Sequence, residues 1–283
     1  MSNELMVNDT SLSIKAELDT QIITANQYPR DEIASVEKAI KLACMDEETS
    51  AGCFYALPRK DKDGNKIAIE GESIRLAEIM RCVWGHMHTQ TRVVDVTEKY
   101  IVTEAVCWDL QTGNKHVEAD RISIWFGEKN GKGGYRANND MQIMLGKASQ
   151  AKALRNAIFQ IVPKGLVKIV ANAAKKNALG DSKNFGSKVT AVINKLVKMG
   201  LNKEEMLAYF GHSKIDDFTQ DDLAALIGIG TALKDGLIKP EDVFAVEKLN
   251  DTSASETLNL LIASKDKPKV DAITGEIESD LPY

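Results

Sequence analysis

Three consecutive strand signals, set between two helical stretches, constrain this chain more than any other feature. Residues 91–96 (TRVVDV), 99–109 (KYIVTEAVCWD) and 116–126 (HVEADRISIWF) are rich in β-branched and aromatic side chains, and Gln111, Thr112, Gly113 and Asn114 form a turn between the last two. Strands this close in sequence pair antiparallel, since parallel pairing needs a crossover of a dozen or more residues. The resulting meander has an apolar face that another layer must cover, and the flanking helices are the obvious cover. The predicted class is therefore α+β, an antiparallel β-meander packed against helices. The third run alternates imperfectly through Val117, Ala119, Ile122, Ile124 and Phe126, which predicts a bulge between Ala119 and Ile122.

Ahead of the meander, residues 30–45 read as an amphipathic helix through Ile33, Val36, Ile40, Leu42 and Ala43. Residues 46–52 read as a turn-rich connection. Residues 53–58 and 67–69 flank a basic loop with an Asp63-Gly64 turn pair, and residues 72–83 read as a mostly buried helix. After the meander, residues 138–168 predict one long helix stopped near Pro163, with Asn139 or Asp140 as its cap. Met141, Met144, Leu145, Ala148, Ala151, Leu154, Ile158 and Ile161 are its expected buried stripe, leaving Lys147, Lys152 and Arg155 outside it. These segments make residues 29–180 the core domain, preceded by a flexible arm over 1–28. Residues 187–246 predict a small acidic all-helical domain, with helices over 188–199, 203–210, 219–235 and 240–246. The stretch 250–283 is polar and poor in aromatics, so a disordered tail is expected there.

The net charge of −5 conceals a strong asymmetry. Residues 129–188 hold twelve basic and two acidic side chains, a net of +10, whereas residues 200–283 hold 17 acids against eight lysines, a net of −9. A basic segment inside an acidic chain points to a polyanionic partner; its plainer reading is two solvated faces of opposite sign. No apolar run approaches the roughly 20 residues that span a bilayer. Four scattered cysteines without a C-x-x-C pair read as reduced thiols of a cytoplasmic protein.

Catalytic patterns are thin. The loop 127–137 (GEKNGKGGYRA) lacks the order of a phosphate-binding P-loop, and Cys82, His86 and His88 lack a fourth metal ligand. Glu118, Asp120 and Asp140 are the few acids available for metal-dependent strand cleavage in the basic region. No enzymatic role, cofactor or metal is expected. Binding of single-stranded DNA fits better, because a basic groove tracks phosphates while aromatic faces stack on bases. The DNA-binding candidates are Arg59, Lys60, Arg75, Arg121, Lys129, Lys132, Arg136, Lys147, Lys152 and Arg155. Tyr55, Trp125 and Tyr135 are base-stacking candidates, with Trp84 and Trp108 more often core residues.

One helix, a meander with a preceding hairpin, and then a basic helix reading A-x-x-K-A-x-R-N-x-x-F up to a proline (Ala148 to Pro163) resemble the phage single-strand annealing proteins, the RecT, Red-beta and Erf group. The resemblance covers about residues 30–170 and lacks a clear copy of the glycine-rich central segment of RecT. It implies ATP-independent annealing of complementary strands in a bacterial host's cytoplasm. The first strand would lie in a groove between meander and basic helix, held through its phosphates, and the protein would form rings or helical filaments. A second resemblance is to the tips of bacterial single-stranded-DNA-binding proteins. It rests on Asp280, Leu281, Pro282 and Tyr283, and implies docking on a phage exonuclease or a host replication protein. The alternative is a phage adaptor that works through its acidic helical domain and this tip.

Overall fold

A computed structural model describes residues 2–60, 66–127, 133–180 and 184–244. The N-terminal stretch, expected to be an arm, forms helix α1 (Ser2–Gln27). Thr20 and Thr24 hydrogen-bond back to carbonyls four residues earlier, and Leu12, Ile14 and Ile23 are exposed while Ala25 is buried. This helix therefore rests on local propensity more than on packing, and a sequence reading that looks for an apolar stripe overlooks it.

Helix α2 (Glu32–Ala43) starts where the Asp31 carboxylate accepts from the Ala34 amide, and α3 (Glu47–Gly52) is capped in the same way by Asp46. The second of these is a helical turn where only a connection was expected. Strands β1 (Phe54–Lys60) and β2 (Lys66–Glu72) pair antiparallel as the predicted hairpin, whose Asp63-Gly64 tip lies outside the described residues. Ser73 then caps α4 (Ile74–Trp84) by accepting from Arg75 and Leu76.

The meander follows as β3 (Met87–Val96), β4 (Tyr100–Asp109) and β5 (Lys115–Ser123), in sequence order. The bulge predicted for β5 is instead a register shift in β3, between Val93 and Asp95; β5 pairs without interruption from Lys115 to Ser123. The break in apolar alternation on β5 comes from acids that face the helical layer, and its backbone stays regular. Two short strands, β6 (Trp125–Phe126) and β7 (Tyr135–Arg136), form a separate ribbon.

Helix α5 (Asn139–Ile161) begins at Asn138, whose side chain accepts from the Met141 amide, one residue before the expected cap. Pro163 separates it from α6 (Lys164–Leu179) at a bend of 118°. The buried face of α5 matches the expected stripe only in part. Ile158 is fully buried and Leu154 and Ile161 pack on the core, but Gly146, Ser149, Ala153 and Ala157 also turn inward, while Met141 and Met144 are 42% and 67% exposed. Small residues win because α5 lies directly on β4 and β5, where a closely approaching backbone has no room for methionines.

Helices α7 (Phe185–Lys198), α8 (Lys203–Phe210) and α9 (Gln220–Lys234) complete the described chain, with a 3₁₀ turn at Pro240–Asp242 where a longer helix was expected. Thr219 and Asp222 close a reciprocal capping box at the start of α9. These helices share their core with the hairpin. Phe54 and Ala56 of β1 pack among Ile193, Leu196, Leu223 and Leu226, so residues 187–244 do not form a separate core. The other main core joins α2, α4, α5 and α6 to the inner face of the meander through Ala105 and Cys107. Among the described residues no single helix is long and apolar enough to cross a membrane.

Candidate nucleic-acid interface

Strand β4 sorts its side chains by alternation. Ile101, Thr103, Ala105, Cys107 and Asp109 are buried toward the helices, and Tyr100, Val102, Glu104, Val106 and Trp108 are half-exposed on the other side. Register places Arg92 and Gln90 of β3, and Lys115, Val117 and Arg121 of β5, on that same outer face. A shallow depression of about 320 Å³ there is lined by Gln90, Arg92, Glu104, Val106, Lys115 and Val117.

Two aromatic rings on this face each carry a cation. The Arg121 guanidinium lies 4.5 Å from the Tyr100 ring centre, and the Lys115 ammonium lies 5.8 Å from that of Trp108. Eight residues of extended strand put the rings roughly 27 Å apart. Between them Arg92 is paired with Glu104 at 2.7 Å. Exposed ring–cation pairs are each worth about 0.5–1 kcal/mol, so a stacking base can displace the cation onto its own phosphate at small cost.

The Tyr100 end of the face continues into the β6–β7 ribbon. Tyr135 is 65% exposed and packs at 6.2 Å on Phe126, and Arg136 reaches the Thr97 carbonyl at 3.4 Å. Lys99 lies 5.5 Å from the Trp125 ring. Trp125 itself is half-buried, with its indole against Gly134, where a side-chain carbon would come within 2.2 Å of Nε1; its ring is thus largely in use as packing. The structure so gathers Arg121, Trp125, Tyr135 and Arg136 at one end of the sheet. Lys129 and Lys132, on the loop joining the two strands, lie outside the described residues.

The basic helix makes a different arrangement from the one expected. Thr103 and Ser149 hydroxyls meet at 2.7 Å, Ser149 donates to Asp120 Oδ2 at 2.7 Å, and Lys152 Nζ donates to Asp120 Oδ1 at 2.7 Å. One turn on, Arg155 donates to Asn156 Oδ1, Asn156 donates to Glu118 Oε1 at 3.0 Å, and His116 lies 3.1 Å from the other oxygen of Glu118. Hydrogen bonds from Asn156 and then His116 hold the Glu118 carboxyl below its ordinary range. This polar seam closes the interface where a DNA groove was expected between helix and meander. Lys152 and Arg155 belong to it because β5 directs Glu118 and Asp120 inward.

The remaining candidates are dispersed. Arg155 lies 5.3 Å from the Tyr55 ring, whose hydroxyl end in turn covers Gly71, so Tyr55 is already engaged in contacts within the fold. Arg75 pairs with Asp235 at 2.5 Å, and Arg59 donates to the Pro58 carbonyl. The Lys60 side chain is outside the described set. Lys147 is exposed with no hydrogen-bond or ion-pair partner among the described residues, as are Lys164, Lys168 and Lys176. The tip residues Asp280, Leu281, Pro282 and Tyr283 also lie outside the described residues.

Tyr100, the ring closest to a guanidinium here, was missing from the sequence-based set, although strict alternation in KYIVTEAVCWD puts it on the face of Trp108. Among the described residues no group of three or more His, Cys, Asp and Glu side chains could hold a metal ion. His86 instead contacts the Tyr28 carbonyl at 2.7 Å. Compared with protein families, curated proteins and solved structures, the chain matches none.

Proposed function

We propose that this protein binds single-stranded DNA on the open face of its meander and anneals complementary strands without ATP. The observation that carries this reading is the pair of ring–cation units, Tyr100 with Arg121 and Trp108 with Lys115, on one exposed strand face. Bases stack on rings irrespective of sequence, and the adjacent cations meet phosphates. A base held by its flat face keeps its pairing edge free, so a second strand can pair while the first stays bound. Pairing itself then drives the reaction, and no nucleotide hydrolysis is required.

The resemblance to phage annealing proteins extends the proposal to rings or filaments in the cytoplasm of a bacterial host. Lys147, Lys164 and Lys168, without ion-pair partners among the described residues, extend the positive surface onto the helical side. A fluorescent oligonucleotide titrated at increasing salt tests the proposal: affinity should fall linearly on a log–log plot, as released counterions require. Absence of binding at about 50 mM salt would overturn it, and negative-stain imaging of the complexes tests the assembly.

A further inference from the structure

Away from the meander, a cleft of about 640 Å³ opens between α3, α7 and α9. Its floor is apolar, formed by Ala51, Val192, Leu196, Met199 and Ile227. Four cations stand around it, Arg75, Lys188, Lys195 and Lys234, against Glu47, Glu48 and the Asp235 that pairs with Arg75, a surplus of one. Arg75 is paired with Asp235, Lys188 with Glu47 at 2.9 Å, and Lys234 with Glu48 at 3.1 Å. Lys195 is exposed; its charge helps to lower the Glu48 carboxyl, but it makes no direct hydrogen bond or ion pair among the described residues. An apolar floor with a surplus of positive charge at its rim suits a ligand that is greasy at one end and acidic beside it.

We propose that this cleft binds residues 276–283 of the chain itself, EIESDLPY. That segment holds three acids and no base, beside an apolar run of Leu281, Pro282 and Tyr283. Leu281 and Tyr283 fill the floor, and Glu278 and Asp280 face Lys195 and Lys234. The tether agrees with this assignment. Phe244, the last described residue, packs on the same core as Leu196 and Leu226, and residues 245–275 span at most about 100 Å from there. A covalent tether of that length keeps the segment at an effective concentration on the order of millimolar near the cleft, so modest contacts suffice for docking. No cleft residue lies on the meander, so this inference stands or falls apart from strand binding.

Photo-crosslinking of the full chain with p-benzoylphenylalanine placed at Tyr283 tests it. Crosslinks should map to residues 192–199 or 226–234. Their yield should drop at least fivefold with Lys195→Glu and by less with Lys195→Gln, while the thermal melt is unchanged. Crosslinks mapping elsewhere, no crosslink at all, or a yield indifferent to Lys195→Glu would overturn the proposal.

Discussion

Gly228 of α9 lies against the backbone of Ala56 on β1, so close that a side-chain carbon at 228 would sit 2.7 Å from the Ala56 nitrogen. The C-terminal helices and the N-terminal hairpin thus meet at a point where one partner has no side chain and the other cannot yield.

Gly228→Ala should accordingly destabilise the whole protein, although alanine is the better helix former. Overpacking against rigid backbone costs about 1–3 kcal/mol, more than the roughly 1 kcal/mol of helix propensity gained. Thermal unfolding should move down by several degrees in one transition. An unchanged midpoint would show that α9 does not rest on the hairpin.

Strand affinity should depend on the sheet face more than on the basic helix. Tyr100→Ala or Trp108→Ala removes a stacking platform worth about 1–3 kcal/mol, a loss of roughly 5- to 150-fold. Arg121→Ala with Lys115→Ala should flatten the salt dependence by a slope of about 1.4. Lys152→Ala should weaken binding less than threefold, because its ammonium already belongs to Asp120. Fluorescence anisotropy separates these outcomes, and a dominant Lys152 effect would move the strand to the helical side.

Ser149→Ala tests the seam as a structural element. Both Ser149 and Thr103 are buried, and truncation leaves the Thr103 hydroxyl and Asp120 short of a partner. The expected loss is about 1–2 kcal/mol in denaturant unfolding, with strand affinity retained.

Acid should loosen the junction between α2 and the meander. The Arg30 and Asp109 side chains are 4% and 5% exposed and ion-paired, with the guanidinium 4.9 Å from the Trp84 ring. Burial pushes the Asp109 carboxyl up, but the hydrogen bond and charge of Arg30, together with hydrogen bonds from Thr112 and Gln111, outweigh it and leave the pKa lowered. Its stabilisation is therefore complete above the unfolded value of about 3.9 and is lost as pH falls through the lower folded value. Urea midpoints should decline from pH 5 to 3. In Asp109→Asn this part of the decline should vanish, from a lower starting stability.

Thiol accessibility should divide the cysteines. Cys82 is exposed, whereas burial pushes Cys53 and Cys107 up to about 12. A thiol reagent at pH 8 should label Cys82 first in the native protein, and the two buried residues only on unfolding.

Much of this architecture is legible locally. Ser73, Thr219 and Pro163 mark their helix ends because capping and ring closure act within a few residues. The alternation of β4 likewise marks Tyr100 and Trp108 as sharing one face. The burial of α5 departs from its apolar pattern because size outranks apolar character there: nothing within the helix reveals how closely the sheet approaches. The roles of Lys152 and Asn156 are hidden for a related reason, since their partners Asp120 and Glu118 lie 32 and 38 residues away on β5. The shared core of hairpin and C-terminal helices depends on contacts more than 100 residues apart, which no window of sequence contains.

The inward face of α5 also bears on how such a chain can diverge. Gly146, Ser149, Ala153 and Ala157 leave room for little beyond a methyl group, while Met141, Ile143, Met144 and Lys147 point outward. Over evolutionary time the outward positions are free to drift, and these four inward ones are limited to glycine, alanine and serine. Distant kin of this chain should share less of its lettering than of that spacing, a small residue at the first, fourth, eighth and twelfth places of the helix segment, ahead of a proline six residues on.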